Sequence, residues 1–329
     1  MMKNTILFLL QVCLLFCPIK LAAQSLQDES FKQIESKAES GNVEAQFCLG
    51  LMYGRGLEGC KKDFGKAVFW LKQSIENGYK RATPYLAMAY YNENKFSDAY
   101  PLFFSFAQNP ENKEVDEYMY AHSLYFVGTC KLKGEGITKN ERGAIYWLEK
   151  AKINGVTGAS ALLGVCHLHG LGVKKDPKKA YLLFKEAFDK DKENELYALD
   201  LVECYILGYG NAQDIKTAYP LVEKYVEGTN VSHHEKNKAT AQLVLGIAYY
   251  KDDTEPMHYN KAFYWLKKVE ENDHATEKEK ASAIYWLQRC YRFGRGVTKD
   301  VNKANELIEQ YSGYESDEPN LIELLELKK

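Results

Sequence analysis

Residues 158–188, GASALLGVCHLHGLGVKKDPKKAYLLFKEAF, carry two helices and the corner between them. Ala159, Leu163, Gly164 and His167 recur at i, i+4, i+5 and i+8, a spacing that places side chains on one side of a helix. Gly170-Leu171-Gly172 ends that helix, because glycine enters the left-handed backbone of a tight corner without a Cβ clash. Asp176 is the expected N-cap of a second helix: its carboxylate can accept from free first-turn N–H groups, and Pro177 at the first helical position has no N–H to leave unsatisfied. The apolar stripe of this second helix is Ala180, Leu183, Phe184, Ala187 and Phe188. One hairpin cannot cover its own apolar faces and requires neighbours of the same kind.

Those neighbours are located by the alanine that opens each second helix: Ala67, Ala99, Ala144, Ala180, Ala218, Ala262 and Ala304. Four residues before each stand Asp63, Lys95, Asn140, Asp176, Asp214, His258 and Asp300, five of which are good N-cap residues. Three residues after each stands a large apolar side chain, Trp70, Leu102, Trp147, Leu183, Leu221, Trp265 or Leu307. Agreement of cap, corner and stripe excludes a single mixed-sheet domain and predicts an all-α chain of seven helix-turn-helix repeats in one elongated array. The 46% hydrophobic content with only 8 Pro excludes a disordered chain, and the 24 Tyr suit positions where a ring packs while its hydroxyl reaches the surface.

The ends differ from the repeats. Residues 1–23 read as a secretory signal peptide: Lys3 in a short n-region, an apolar core from Ile6 to Phe16, and Leu21-Ala22-Ala23 before Gln24. The apolar run is short for a membrane span, so no integral span is expected after cleavage. A lipoprotein signal fits poorly, since Cys17 follows Phe16 and Cys13 follows Val12. Loss of Lys3 and Lys20 takes the formal charge from −2 to −4, which argues against a nucleic-acid or anionic-lipid partner. Residues 24–44 form an N-terminal capping helix, with Asp28–Ser40 as its helical part; residues 45–314 are the repeats. Residues 315–329 form a C-terminal capping helix whose apolar face is Leu321, Ile322, Leu324 and Leu325. Ser232-His233-His234-Glu235 and Thr276-Glu277-Lys278-Glu279 read as capping boxes. The second copy replaces its glycines by a shorter corner, Asn92–Asp98, and Pro220 is expected in the first turn of the fifth copy's second helix.

The pattern A-x-x-x-L-G-x-x-Y/H-x-x-G-x-G-V-x-x-D-x-x-K-A, from about Ala38 to Tyr311, resembles the Sel-one-like repeat family, relatives of tetratricopeptide repeats. It is fullest in the first, fourth and seventh copies. The resemblance implies a right-handed superhelical α/α solenoid, an adaptor role in protein complexes, and, for an exported bacterial-type member, a periplasmic or secreted location. A cysteine-rich secreted branch of the family pairs cysteines across the turn between repeats and has been linked to β-lactam binding. Here the comparable places hold Glu39 and Gln46.

Catalytic and metal chemistry find little support in the residues. The pairs Gly134/Gly136, Gly170/Gly172, Gly208/Gly210 and Gly294/Gly296 each follow a helix, lack a third glycine and have no Lys-Ser/Thr, so they mark corners and not phosphate loops. His167 and His169 project about 200° apart on a helix, which keeps them off one ion. His167 occupies the slot of Tyr53, Tyr90, Tyr205, Tyr249 and Tyr291, so a core or edge histidine is expected. Cys130, Cys166, Cys204 and Cys290 share one register, where Met52, Ala89 and Ala248 stand in other copies. Helices stacked roughly 8–10 Å apart exceed the ~7 Å Cα separation that a disulfide tolerates, so buried thiols are expected. Cys48 and Cys60 are the near pair, and a bridge between them stays open. Neither Ser-x-x-Lys nor Lys-Thr-Gly occurs, and no cofactor or metal set is indicated.

The expected work is therefore binding. Opposite the Ala/Leu/Gly/Tyr stripe stand Tyr85, Met88, Asn92, Tyr125, Lys133, Glu203, Arg289 and Phe293, a candidate groove for an extended peptide or partner helix; the aromatic ones fit packing between repeats equally well. A non-catalytic scaffold is the first reading. A cell-envelope hydrolase acting on peptidoglycan-like or β-lactam material, and a surface protein engaging host partners, are the alternatives.

Overall fold

The computed structural model describes residues 30–56, 60–206, 209, 212–227, 234–253 and 255–312. The signal segment, the closing segment 315–329, Ser232 and His233 lie outside the described residues, as do Gly208 and Gly210. Every element among the described residues is a helix. They fall into two compact units that divide between Lys175 and Asp176, where the sequence expects one array.

The first unit holds α1 (Phe31–Glu39), α2 (Val43–Arg55), α3 (Phe64–Glu76), α4 (Ala82–Asn92), α5 (Phe96–Ala107), α6 (Asn112–Val115), α7 (Glu117–Lys133), α8 (Glu141–Ile153) and α9 (Thr157–His169). Within it α2 packs on α3, α4 on α5 and α7 on α8, and each hairpin packs on the next. The second unit holds α10 (Pro177–Lys190), α11 (Glu195–Ile206), α12 (Ala212–Glu227), α13 (His234–Lys251), α14 (Pro256–Glu270), α15 (Glu277–Phe293) and α16 (Val301–Ser312). There α11 packs on α12, α13 on α14 and α15 on α16.

The two kinds of helix are buried differently. Second helices bury a narrow stripe, Ala67, Leu71 and Ser74 in α3 and Ala144, Leu148 and Ala151 in α8. First helices are buried on most sides, Ser123 to Cys130 without a break in α7, because α5 covers one side and α8 another. The stripes expected in residues 158–188 are buried as read. Hairpin halves approach closely at one glycine: a methyl group on Gly50, Gly128 or Gly246 would fall 2.7 Å from Cγ of Leu71, Leu148 or Leu266.

The corners repeat in atomic detail. Gly56, Gly134, Gly170 and Gly294 take the left-handed C-cap conformation, with φ between 70° and 80°. In the last three of these corners, the carbonyl of Cys130, Cys166 or Cys290 accepts from the C-cap glycine. That carbonyl also accepts from the following residue, Glu135, Leu171 or Arg295. The caps close the other side: Asp63, Asn140, Asp176 and Asp300 accept from Lys66, Gly143, Lys179 and Lys303 N–H groups. In the second copy, Asn94 at φ 56° does the work of the missing glycine.

The second glycine of each corner contacts the preceding hairpin. A methyl group on Gly136 would lie 2.1 Å from the Phe96 carbonyl oxygen, on Gly172 2.4 Å from the Glu141 carbonyl carbon, and on Gly296 2.0 Å from the Tyr259 carbonyl oxygen. Phe96, Glu141 and Tyr259 each stand three residues before the marker alanine, so one register joins neighbouring hairpins.

Several expected boundaries move. Asp214 and Pro220 lie inside α12, which already begins at Ala212. Ala212 and Gln213 are good helix formers, and an acidic residue in a first turn suits the helix dipole. Likewise His258 lies inside α14, because Pro256 presets the first helical φ and moves the start upstream. The Thr276 box forms, with the Glu279 carboxylate accepting from Thr276 N–H at 2.8 Å. The helix expected from Asp28 is described from Phe31, capped by Ser30, whose N–H donates to the Gln33 side chain at 2.8 Å.

Comparing Gly134→Ala with Gly136→Ala separates corner strain from hairpin docking. Each puts alanine into left-handed backbone, costing about 1–2 kcal/mol, but at Gly136 the methyl also meets backbone that cannot swing away. Urea unfolding is expected to show the Gly136→Ala loss exceeding the other by more than about 1 kcal/mol. Equal losses would contradict the docking role.

Candidate partner-binding surface

The eight candidate groove residues separate into four groups. In the first unit Tyr85, Met88 and Asn92 line one cleft of about 70 Å³ between α2 and α4, rimmed by Lys62 and Glu93, an ion pair at 3.6 Å. Met88 is half-buried and Asn92 exposed, so both reach the opening. Tyr85 is the floor. Its ring meets Phe47 edge-on at 4.9 Å and its hydroxyl donates to Asp116 Oδ2 at 3.1 Å.

Asp116 explains that commitment. Its other oxygen caps α7 by accepting from Met119 N–H, while Arg81 Nε donates to Oδ2 at 2.9 Å. The carboxylate is buried with its lone pairs engaged, and it ties Arg81 and Tyr85, at the start of α4, to the first turn of α7.

Tyr125 takes the packing role that the sequence leaves open for the aromatic candidates, and Lys133 sits at a different corner. Tyr125 has no exposed surface; it packs among α7 neighbours and against Gly158 at the start of α9, because the first helices are enclosed on both flanks. Lys133 is held at the surface edge by Glu135 at 3.4 Å, and burial lowers its pKa against the pull of that carboxylate. Glu203 belongs to α11, and its side chain lies outside the described residues.

Arg289 and Phe293 are presented in the second unit. The Arg289 guanidinium lies 5.5 Å from the Trp286 ring centroid and 5.7 Å from that of Tyr285, and donates to the Tyr285 hydroxyl at 3.1 Å. Phe293 is 58% exposed, which one aromatic ring at a helix end does not require for packing. Sequence reasoning missed Arg295, whose guanidinium sits 4.8 Å from the Tyr250 ring. The signal was there: the residue between corner glycines changes from copy to copy, as Glu135, Leu171, Tyr209 and Arg295.

The cluster with the most chemical look is structural. Tyr249 and Lys261 both donate to Glu223 Oε1, at 3.0 and 2.9 Å, joining α12, α13 and α14. Burial raises the Tyr249 pKa, with Glu223 adding to it. His258 Nδ1 lies 3.3 Å from buried Asp252. Among the described residues no group of three His, Cys, Asp or Glu side chains is arranged to hold a metal ion, and no helix is long and apolar enough to cross a membrane.

The six described cysteines are thiols, including Cys48 and Cys60. His167 is buried, as its slot implies. Burial pushes the Cys130, Cys166 and Cys290 thiols up to about 12, with Glu135 and Glu141 adding to the first two. Iodoacetamide at pH 8 is expected to leave these three unlabelled in the folded protein and to label them in urea; labelling of the folded chain at the rate of a free thiol would contradict their burial. Because their pKa is raised from an ordinary 9.0, the stability they contribute is complete below pH 9 and is lost as pH rises toward 12. Changing all three to alanine should flatten that part of the stability curve.

The model of the Sel1 repeat matches residues 43–79, 121–156, 158–192, 239–274 and 281–310, more than half of the chain. Among curated proteins the chain is 32% identical over 120 residues to the ERAD-associated E3 ubiquitin-protein ligase component HRD3B of Arabidopsis thaliana, covering 36% of this chain and 18% of that one. It is 24% identical over 181 residues to chitin synthase regulatory factor 3 of Schizosaccharomyces pombe, covering 54% and 15%. The chain thus spans under a fifth of the length of these relatives. Similar solved structures include a Sel1 repeat protein from Oxalobacter formigenes, 21% identical with a TM-score of 0.48 over 87% of this chain and 76% of that one. Another is c5321, a protective antigen of uropathogenic Escherichia coli, 21% identical with a TM-score of 0.33 over 85% and 78%.

Proposed function

Since the chain belongs to the Sel1 repeat family, we propose that it is a non-catalytic scaffold that binds a protein or peptide partner outside the cytoplasm. The observation that carries this reading is the placement of chemically varied side chains at fixed repeat positions: half-buried Met88 and exposed Asn92 over a cleft in the first unit, half-buried Arg289 and exposed Phe293 on α15 in the second. Corners and stripes hold those positions while leaving their identity free, which is how repeat proteins generate recognition surfaces. Two relatives are named as a ligase component and a synthase regulatory factor, names that describe attendance on an enzyme. That usage supports the scaffold reading.

Export rests on residues 1–23 as a signal peptide cleaved before Gln24, giving a periplasmic or secreted protein. In this reading residues 24–44 cap the repeats of 45–314 at one end and residues 315–329 cap them at the other. The α1 helix fits the first role, packing on α2 with Phe31 edge-on to Tyr53 at 5.9 Å.

The test is expression of the full chain with a C-terminal tag in its native cells, followed by fractionation, N-terminal sequencing and cross-linked capture. The expected result is a mature chain starting at Gln24, outside the cytoplasm, that co-purifies with a defined protein in fixed ratio. Turnover of a β-lactam or peptidoglycan fragment, abolished by one Ser or Cys change, would contradict it.

A further inference from the structure

Two homologous corners, one in each unit, differ in a way that points to a ligand. In the first unit the Tyr91 ring is tilted 58° against Phe126 at 5.0 Å and lies 5.0 Å from Phe96. In the second, Tyr250 meets Trp286 at 5.0 Å and 58° and lies 6.0 Å from Tyr259. Phe126 and Trp286 hold the same register, four residues before Cys130 and Cys290, and Phe96 and Tyr259 each stand three before a marker alanine. The same aromatic cluster has been built twice.

The residue between the corner glycines then reverses its charge. In the first unit it is Glu135: the Tyr91 hydroxyl donates to Glu135 Oε2 at 2.7 Å and Lys133 neutralises the carboxylate at 3.4 Å. This corner supplies its own acceptor and its own counter-charge. In the second unit the position is Arg295, which has donors and no acceptor. Its guanidinium covers the rings of Tyr250 and Tyr259 at 4.8 and 4.9 Å, and Phe293, fully 58% exposed, stands where Lys133 stood.

The polar atoms of this second corner lack the acceptor that Glu135 provides in the first. Tyr250 Oη, Trp286 Nε1 and Arg289 Nε are buried and make no hydrogen bond, although Tyr250 and Trp286 are more than nine-tenths buried. The indole and guanidinium N–H groups can only donate. Arg289 and Arg295 meet rings and one tyrosine hydroxyl among the described residues, so the charge of both guanidiniums is directed at aromatic faces. Two guanidiniums and several donors around an aromatic floor, with Lys251 Nζ 6.0 Å from the Trp286 ring centroid, call for an acceptor-only, negatively charged group. Planar guanidinium is the side chain best shaped for a carboxylate.

We propose that Arg289 and Arg295, above the Tyr250–Trp286 floor, receive a carboxylate from an acidic peptide segment of a partner protein, and that Phe293 contacts a neighbouring apolar side chain of that segment. The incoming carboxylate takes the place that Glu135 fills internally in the first unit. The proposal deepens the scaffold reading and rests on it, adding the chemistry of the partner and the place it docks.

Fluorescence anisotropy on the full chain with a fluorescein-labelled peptide, GELEDLEG, tests it against the uncharged counterpart GQLQNLQG. The acidic peptide is expected to bind at least tenfold more tightly, with affinity falling as salt rises. Arg295→Glu copies the self-satisfied arrangement of the first unit, so it should keep the helical circular dichroism and lose at least tenfold in affinity. Arg289→Gln should lose several-fold, and Arg295→Gln serves if the glutamate variant does not fold. Equal affinity for the two peptides, or full affinity in a folded Arg295 variant, overturns the proposal. Binding seen only when Glu315→Gln, Asp317→Asn and Glu318→Gln are combined would assign the site to the chain's own acidic run and overturn the partner assignment. Failure of the acidic probe while fixed-ratio partner capture persists would reject this site and leave the scaffold reading standing.

Discussion

Neighbouring hairpins meet where backbone touches backbone with no side chain between. At Gly136, Gly172 and Gly296 a single methyl group would collide with the first turn of the preceding second helix. Contacts between flexible side chains can slip by a turn, whereas a backbone contact of this kind admits one register. The corner that makes it is fixed in turn by a left-handed glycine two residues earlier and by the carbonyl of Cys130, Cys166 or Cys290, which accepts two N–H groups. These cysteines are therefore backbone anchors with small buried side chains. Burial that raises their pKa to about 12 keeps them from reacting.

Once the backbone sets the spacing, side chains at repeat positions can vary without threatening the fold. Position by position, the copies show what that freedom is used for. The residue between the corner glycines is a carboxylate locked to a tyrosine in one place and a guanidinium lying on a tyrosine in another. The ring pair beneath is the same with either choice, since the Tyr91–Phe126 and Tyr250–Trp286 pairs share distance and angle. Stability and recognition thus sit on different atoms of the same corner.

Much of this was legible in the residues. Alanine, leucine and glycine spacing gave the helices, the cap residues Asp63, Asn140, Asp176 and Asp300 cap as read, and the cysteine register is a buried one. Local chemistry decides such features, so local sequence reveals them. Where Asp214 and Pro220 were misplaced, good helix formers upstream extended the helix past a residue that would otherwise have capped it. The candidate surface was read less well because helical spacing says which way a side chain points and not whether a neighbouring hairpin lies there. Tyr125 points away from its own hairpin into the next one, whereas Arg295 belongs to a corner taken as purely structural. Its role emerges only when homologous corners are compared in space.

One corner is closed by its own carboxylate, and the proposed segment closes the other. Opening the closed corner distinguishes the two. Glu135→Arg removes the acceptor of Tyr91 and supplies the guanidinium that Arg295 supplies in the second unit. Titration calorimetry with the acidic peptide should then show the stoichiometry rising from one site per chain to two, with helical content retained. A folded Glu135→Arg protein that still binds one peptide, or none, would contradict the assignment of the carboxylate site to this corner.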